Sequence, residues 1–131
     1  MTRILIVDDD RDILGLLRLE FEDEPGCSAD TANDVHKALE LVRVHPYDLI
    51  ITDWRMPVMN GTEFVGAVRN QGCTTPIALY SGKECDQEIR DALDAGAEWY
   101  VGRRGNPEQE FPELKRIVQE IASRTKKPGS A

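Results

Sequence analysis

Long apolar runs are missing from this 131-residue sequence; the longest stretches span only a few residues, too short to cross a bilayer. The Met1 end carries no cleavage-site pattern, so no secretory leader is expected. Cysteine is scarce and unpaired in pattern: Cys27, Cys73 and Cys85 form no C-x-x-C. With only His36 and His45 beside them, they cannot supply a zinc site. Reduced, mostly buried thiols in a cytoplasmic protein are expected. An excess of positive charge is also lacking. The formal net charge is −8 at pH 7. That argues against a nucleic-acid or anionic-membrane surface, since either needs a basic stripe, and is compatible with binding cations.

What is present is a soluble, globular composition, 40% apolar, at a length that suits one domain. Short apolar runs alternate with longer amphipathic stretches. "RILIV" (3–7), "CSADTA" (27–32), "YDLIITD" (47–53), "TPIALYS" (75–81) and "EWYVG" (98–102) read as strands. Between and after them lie five helical patterns. The first is "RDILGLLRLEFEDE", ended by Pro25-Gly26. The second has Val35, Ala38, Leu39 and Val42 inward and Asn33 or Asp34 as its cap. The last is "FPELKRIVQEIASR", with Leu114, Ile117, Val118 and Ile121 on one stripe. Residues 1–124 read as the domain and 125–131 as a polar tail or the start of a linker.

A strand–helix unit repeated five times implies an α/β fold: a doubly wound, five-stranded parallel sheet with helices on both faces. Such sheets bind ligands at the carboxyl ends of their strands. Asp8 to Asp10 follow the first strand, Asp53 ends the third, Ser81 ends the fourth and Arg103 follows the fifth. All should gather at one edge. Clustered carboxylates repel unless a cation neutralises them, and a hard divalent ion with oxygen ligands suits them. A hydroxyl and a cation beside that ion suit transfer of a phosphoryl group to a carboxylate.

These residues resemble the receiver domain of two-component response regulators. "ILIVDDD" is similar to that family's first strand and acidic pair, and "DWRMPVMNG" (53–61) fits its D-x-x-M-P-x-x-x-G segment at every fixed position. "LYSG" resembles its fourth strand with the hydroxyl and small follower, and "AGAEWYVG" the lead into the fifth. The resemblance implies the flavodoxin-like (βα)5 fold and a phosphoacceptor switch, catalysing only its own phosphorylation and dephosphorylation. It implies that Asp53 accepts the phosphoryl group from a histidine kinase or phosphotransfer protein. Asp8, Asp9, Asp53 and the backbone carbonyl of Arg55 would hold magnesium (or manganese), Asp8 through a metal-bound water. Ser81 would swing toward the phosphoryl group and Tyr100 would change rotamer with it. The face made by the fourth helix, fifth strand and fifth helix would meet a downstream protein target or a second copy in a phosphorylation-dependent dimer; otherwise the domain is a monomer.

One segment departs from the family pattern. Lys-Pro is usual after the fifth strand, and here the positions hold Arg103-Arg104 followed by a longer loop. Arginine keeps the charge but is a planar fork. Either could take the Lys role, with Arg103 favoured. The alternative is a degenerate receiver serving as a constitutive interaction module. An aspartate-nucleophile phosphatase is disfavoured because Trp54 and Arg55 follow Asp53 where a second acid is wanted. Asp10 and Asp12 read as capping acids of the first helix. Trp99 reads as surface or partner contact. Trp54 is expected at the site rim, and Arg55 and Lys83 flank the site. Both a stand-alone regulator and a piece of a longer one fit the sequence.

Overall fold

The computed structural model describes residues 1–82 and 84–125. Strands and helices alternate as β1 (Thr2–Val7), α1 (Arg11–Glu22), β2 (Cys27–Ala32), α2 (Val35–Val44) and β3 (Leu49–Thr52). They continue as α3 (Gly61–Asn70), β4 (Ile77–Ser81), α4 (Asp86–Ala95), β5 (Trp99–Gly102) and α5 (Pro107–Thr125). The five strands form one sheet in the order β2-β1-β3-β4-β5, each pair parallel. This is the doubly wound, flavodoxin-like arrangement. Lys83, expected to flank the site, and tail residues 126–131 lie outside the described residues, while Thr125 closes α5.

Side-chain alternation along the strands splits the core in two. Ile4, Ile6, Leu49, Ile51 and Val101 meet Leu14, Leu17 and Phe21 of α1 and Leu114, Ile117, Val118 and Ile121 of α5. Leu5, Val7, Ile50 and Leu79 face the other way, onto Val35, Ala38 and Val42 of α2, Phe64, Val65 and Val68 of α3, and Ala92 of α4. Burying each large apolar side chain is worth about 1.5–3 kcal/mol, so these two layers set the strand faces. Strand order reverses between β1 and β3, and the crevice beyond their carboxyl ends is where such folds bind ligands.

Three expectations need correction. The last helix begins at Pro107, four residues before the expected start at Phe111. Asn106 carbonyl oxygen accepts from the Gln109 and Glu110 N–H groups, and proline suits a first helical position. The cysteines are not mostly buried: Cys27 and Cys73 are half-buried and Cys85 is exposed. Cys85 sits at the solvent-facing N-cap of α4, where a side chain has nothing to pack into. Trp99 is half-buried against the α1/α5 core, with the Arg124 guanidinium carbon 5.2 Å from its ring centroid, rather than plain surface.

Candidate functional site

Three strand ends deliver the acids and the hydroxyl. The sheet ladder runs one residue past the strands: Asp8 N–H donates to Ala32 (3.2 Å) and Asp53 N–H to Val7 (3.0 Å). This fixes both acids side by side over the β1–β3 crevice. Asp8, Asp53 and Ser81 are buried, while Asp9 is exposed. Asp8, Asp9 and Asp53 each offer a carboxylate oxygen, and the three oxygens lie within 4.8 Å of one another. The third acid of the opening run is different. Asp10 caps α1, accepting from the N–H groups of Asp12 (2.9 Å) and Ile13 (3.5 Å).

Each oxygen of Asp53 has its own partner. Oδ1 accepts from the Ser81 hydroxyl (2.5 Å) and from the Trp54 N–H (2.8 Å). Oδ2 faces Arg103, whose Nη2 is 3.3 Å away. The other arm of the same guanidinium donates to Asp8 Oδ2 at 3.0 Å. Arg103 therefore spans two acids with one planar fork. Burial works against its charge, but Asp8 and Asp53 more than offset that and hold its pKa above the usual arginine value. Arg104 does not reach the acids; its backbone N–H donates to Glu110. Of the two arginines, Arg103 is the one at the site.

Asp8 is pushed up to about 6. Burial is the main cause, and the neighbouring Asp53 charge adds to it. The Asp10 N–H and Arg103 pull the other way without prevailing. A buried carboxylate held so high is one that gains from a further cation. Three hard oxygen donors from side chains, one of them the exposed Asp9, fit a divalent ion of the magnesium kind.

The remaining expected residues are placed as follows. Tyr100 points toward the site edge, its hydroxyl donating to the Ser81 carbonyl (2.9 Å). Trp54 is half-buried beside Asp53, its indole N–H on Thr62 Oγ1 (3.1 Å). Arg55 sends its side chain to Glu84 (3.4 Å) and Glu88 (3.6 Å) and lies over the Trp54 ring, 5.4 Å from the centroid. Two residues escaped the sequence reading. Tyr80 carries the Arg103 guanidinium over its ring, 5.2 Å from the centroid. Buried Glu110 accepts from the Tyr80 hydroxyl (2.6 Å) and from the N–H groups of Arg104 (2.7 Å) and Asn106 (3.2 Å). Only the pair Asn106-Pro107, a helix-start signal, could have placed Glu110 in the first turn of α5.

The fold and this acid-lined edge define a phosphoacceptor signalling module rather than a metabolic enzyme. The chain belongs to the response regulator receiver domain family, whose model matches residues 4–111. It is similar to the response regulator ArlR of Staphylococcus aureus, 33% identical over 119 residues, covering 91% of this chain and 53% of that protein. The chain thus spans about half the length of the curated relatives it matches. Among solved structures it is similar to the Francisella response regulator 1452 receiver domain, at TM-score 0.84 and 28% identity, covering 96% of this chain and all of that one. It is also similar to the response regulator TrrA of Thermotoga maritima, in complex with Mg2+-BeF, at TM-score 0.78 and 34% identity, covering 92% and 99% of the two chains. Receiver domains accept phosphoryl groups from histidine kinases. No helix among the described residues is long and apolar enough to cross a membrane.

Proposed function

We propose that Asp53 accepts a phosphoryl group from a histidine kinase or phosphotransfer protein, with magnesium (or manganese) held by Asp8, Asp9, Asp53 and the Arg55 carbonyl. The observation that carries this is the orientation of Asp53. One oxygen is held by Ser81 and the Trp54 N–H, and the other is turned toward a paired guanidinium beside two more acids. That the Thermotoga relative was solved in complex with Mg2+-BeF supports magnesium as the ion. When bound, the ion supplies positive charge against the transferring group.

In the reaction an Asp53 oxygen forms a bond to phosphorus as the donor's P–N bond breaks. The imidazole leaves with the electron pair and takes up a proton. Arg103 and the Ser81 hydroxyl are the donors available to the new phosphoryl oxygens, each already within reach of Asp53. Ser81 must leave Asp53 Oδ1 to do this. Tyr100 is tied to the same residue through the Ser81 carbonyl, so movement of Ser81 is passed to Tyr100 and the face formed by α4, β5 and α5. That face meets the downstream target or a second copy. The position of Arg103 weighs against the rival reading of a constitutive interaction module, which rested on the loss of the usual lysine.

The test is incubation with a small acyl phosphate and magnesium, followed by intact mass. Wild type should gain one phosphoryl group, Asp53→Ala none, and chelation of the metal should abolish the gain. A phosphoryl group on Asp53→Ala would sink the assignment.

A further inference from the structure

The loop after β5 lacks the proline usual for the family, yet its backbone is held at three points. Arg103 N–H donates to the Ser81 carbonyl (2.8 Å). The next two restraints come from one side chain: Glu110 Oε2 accepts from the N–H groups of Arg104 and Asn106. Its other oxygen holds the Tyr80 hydroxyl, and Tyr80 carries Arg103 on its ring. Phe111 packs edge-on to Tyr80, with ring centroids 6.3 Å apart. A buried acid, a buried phenol and the reactive-site arginine thus form one continuous stack ending at Asp8 and Asp53.

We propose that Glu110 and Tyr80 are positioning residues, a brace that fixes the plane of the Arg103 guanidinium over the Asp8–Asp53 pair in place of a proline-stiffened loop. The proposal rests on the reading of Asp53 as acceptor. Each part of the brace has a separate task. The Tyr80 ring face is a cation–π platform for the guanidinium. The Glu110 carboxylate is a charge-assisted acceptor for three donors at once, stronger than neutral pairs. Burial pushes its carboxyl up, but the Tyr80 hydroxyl and the two backbone N–H groups outweigh this and leave it below the usual carboxylate value, so it is ionised and accepting at neutral pH. Arginine has more rotatable bonds than the loop alone can order, so without the brace its fork would lose the two-acid register.

A merely structural Glu110 would stabilise the start of α5 and nothing more. The two roles separate in a double-mutant cycle on the full chain. The maximal phosphorylation rate with a small acyl phosphate at saturating magnesium is measured for Glu110→Ala, Arg103→Ala and the double variant. The brace predicts that Glu110→Ala slows the maximal rate about tenfold, with half-saturation by the donor unchanged. It also predicts that the double variant is no slower than Arg103→Ala alone. Equal slowing of wild type and Arg103→Ala by Glu110→Ala, or no slowing, overturns the proposal. Should Glu110→Ala not fold, Tyr80→Phe keeps the ring and removes only the hydroxyl, and should show the same non-additive pattern at about threefold. A second readout needs no phosphodonor or metal: the Arg103 side-chain N–H signals in nitrogen-15 NMR. They should be sharp and slow to exchange in wild type and lost in Glu110→Ala or Tyr80→Phe. If wild type takes no phosphoryl group, the acceptor assignment has failed. The NMR comparison then still decides the brace, with unchanged signals overturning it.

Discussion

The turn after β3 and the loop after β5 serve the same acid and are built in opposite ways. The turn, residues 54–60, is held by its own neighbourhood. Gly61 N–H donates to the Trp54 carbonyl (2.7 Å), and Asn60 and Glu63 close a reciprocal cap at the start of α3. The loop, residues 103–106, is held on one side by its own neighbourhood, through Glu110 in the first turn of α5, and on the other by Tyr80 and Ser81 in β4. The turn's backbone is therefore closed within the segment, whereas the loop also leans on β4. A site can keep a fixed local motif on one side and rebuild the other from the following helix and the neighbouring strand, provided the same kind of charge reaches the same carboxylate.

The largest effect should come from Gly82→Ala, which attacks the loop side. A Cβ there would stand 2.2 Å from the Arg103 carbonyl oxygen, a backbone atom with nowhere to go. A loss of about 3 kcal/mol or more in urea denaturation is expected, with Arg103 displaced. Gly61→Ala attacks the turn side. Its Cβ would meet the Trp54 Cα at 2.8 Å and the indole at 2.9 Å, and part of that clash falls on a side chain that can rotate. Calorimetry should find about 2 kcal/mol lost, together with a changed Trp54 fluorescence. If Gly61→Ala proves costlier than Gly82→Ala, the loop is less tightly determined than this comparison holds.

The smallest effect is a pH dependence. Asp8 is raised in the folded state to about 6, above its unfolded value, so its protonated form favours folding. Its cost is absent at low pH and is incurred as pH rises through about 6. Metal-free protein should gain about 1 kcal/mol from this group between pH 7 and pH 5, read from thermal melts. Asp8→Asn should flatten that part of the profile.

How much of this was legible follows the same divide. Asp8, Asp9 and Asp53 follow short β-branched runs, "ILIV" and "LIIT", that read as buried strands, and parallel topology then brings them together. The role of Asp10 as a cap was legible too, because capping is local. Ser81 and Arg103 followed from the same topology, and the structure puts both on Asp53. Glu110 was not legible. It lies in a polar stretch that reads as loop, and nothing near it in sequence says that Tyr80, 30 residues earlier, will need an acceptor. For the same reason the start of α5 was placed four residues late: the apolar stripe marks where a helix meets the core, not where it begins. In α1, Leu16 and Leu19 carry the apolar pattern yet remain 52% and 70% exposed, since the pattern was wider than the face α1 buries.

The central claim is that one arginine from the rebuilt loop acts on the carboxylate that the turn presents. Its most direct test is the rate of magnesium-dependent phosphorylation at Asp53, followed by intact mass, in wild type, Arg103→Lys and Arg103→Ala. The account predicts a competent wild type, an Arg103→Ala rate at least about tenfold lower, and only partial activity for Arg103→Lys, which keeps the charge but loses the planar fork. An Arg103→Ala protein phosphorylated as fast as wild type would contradict it.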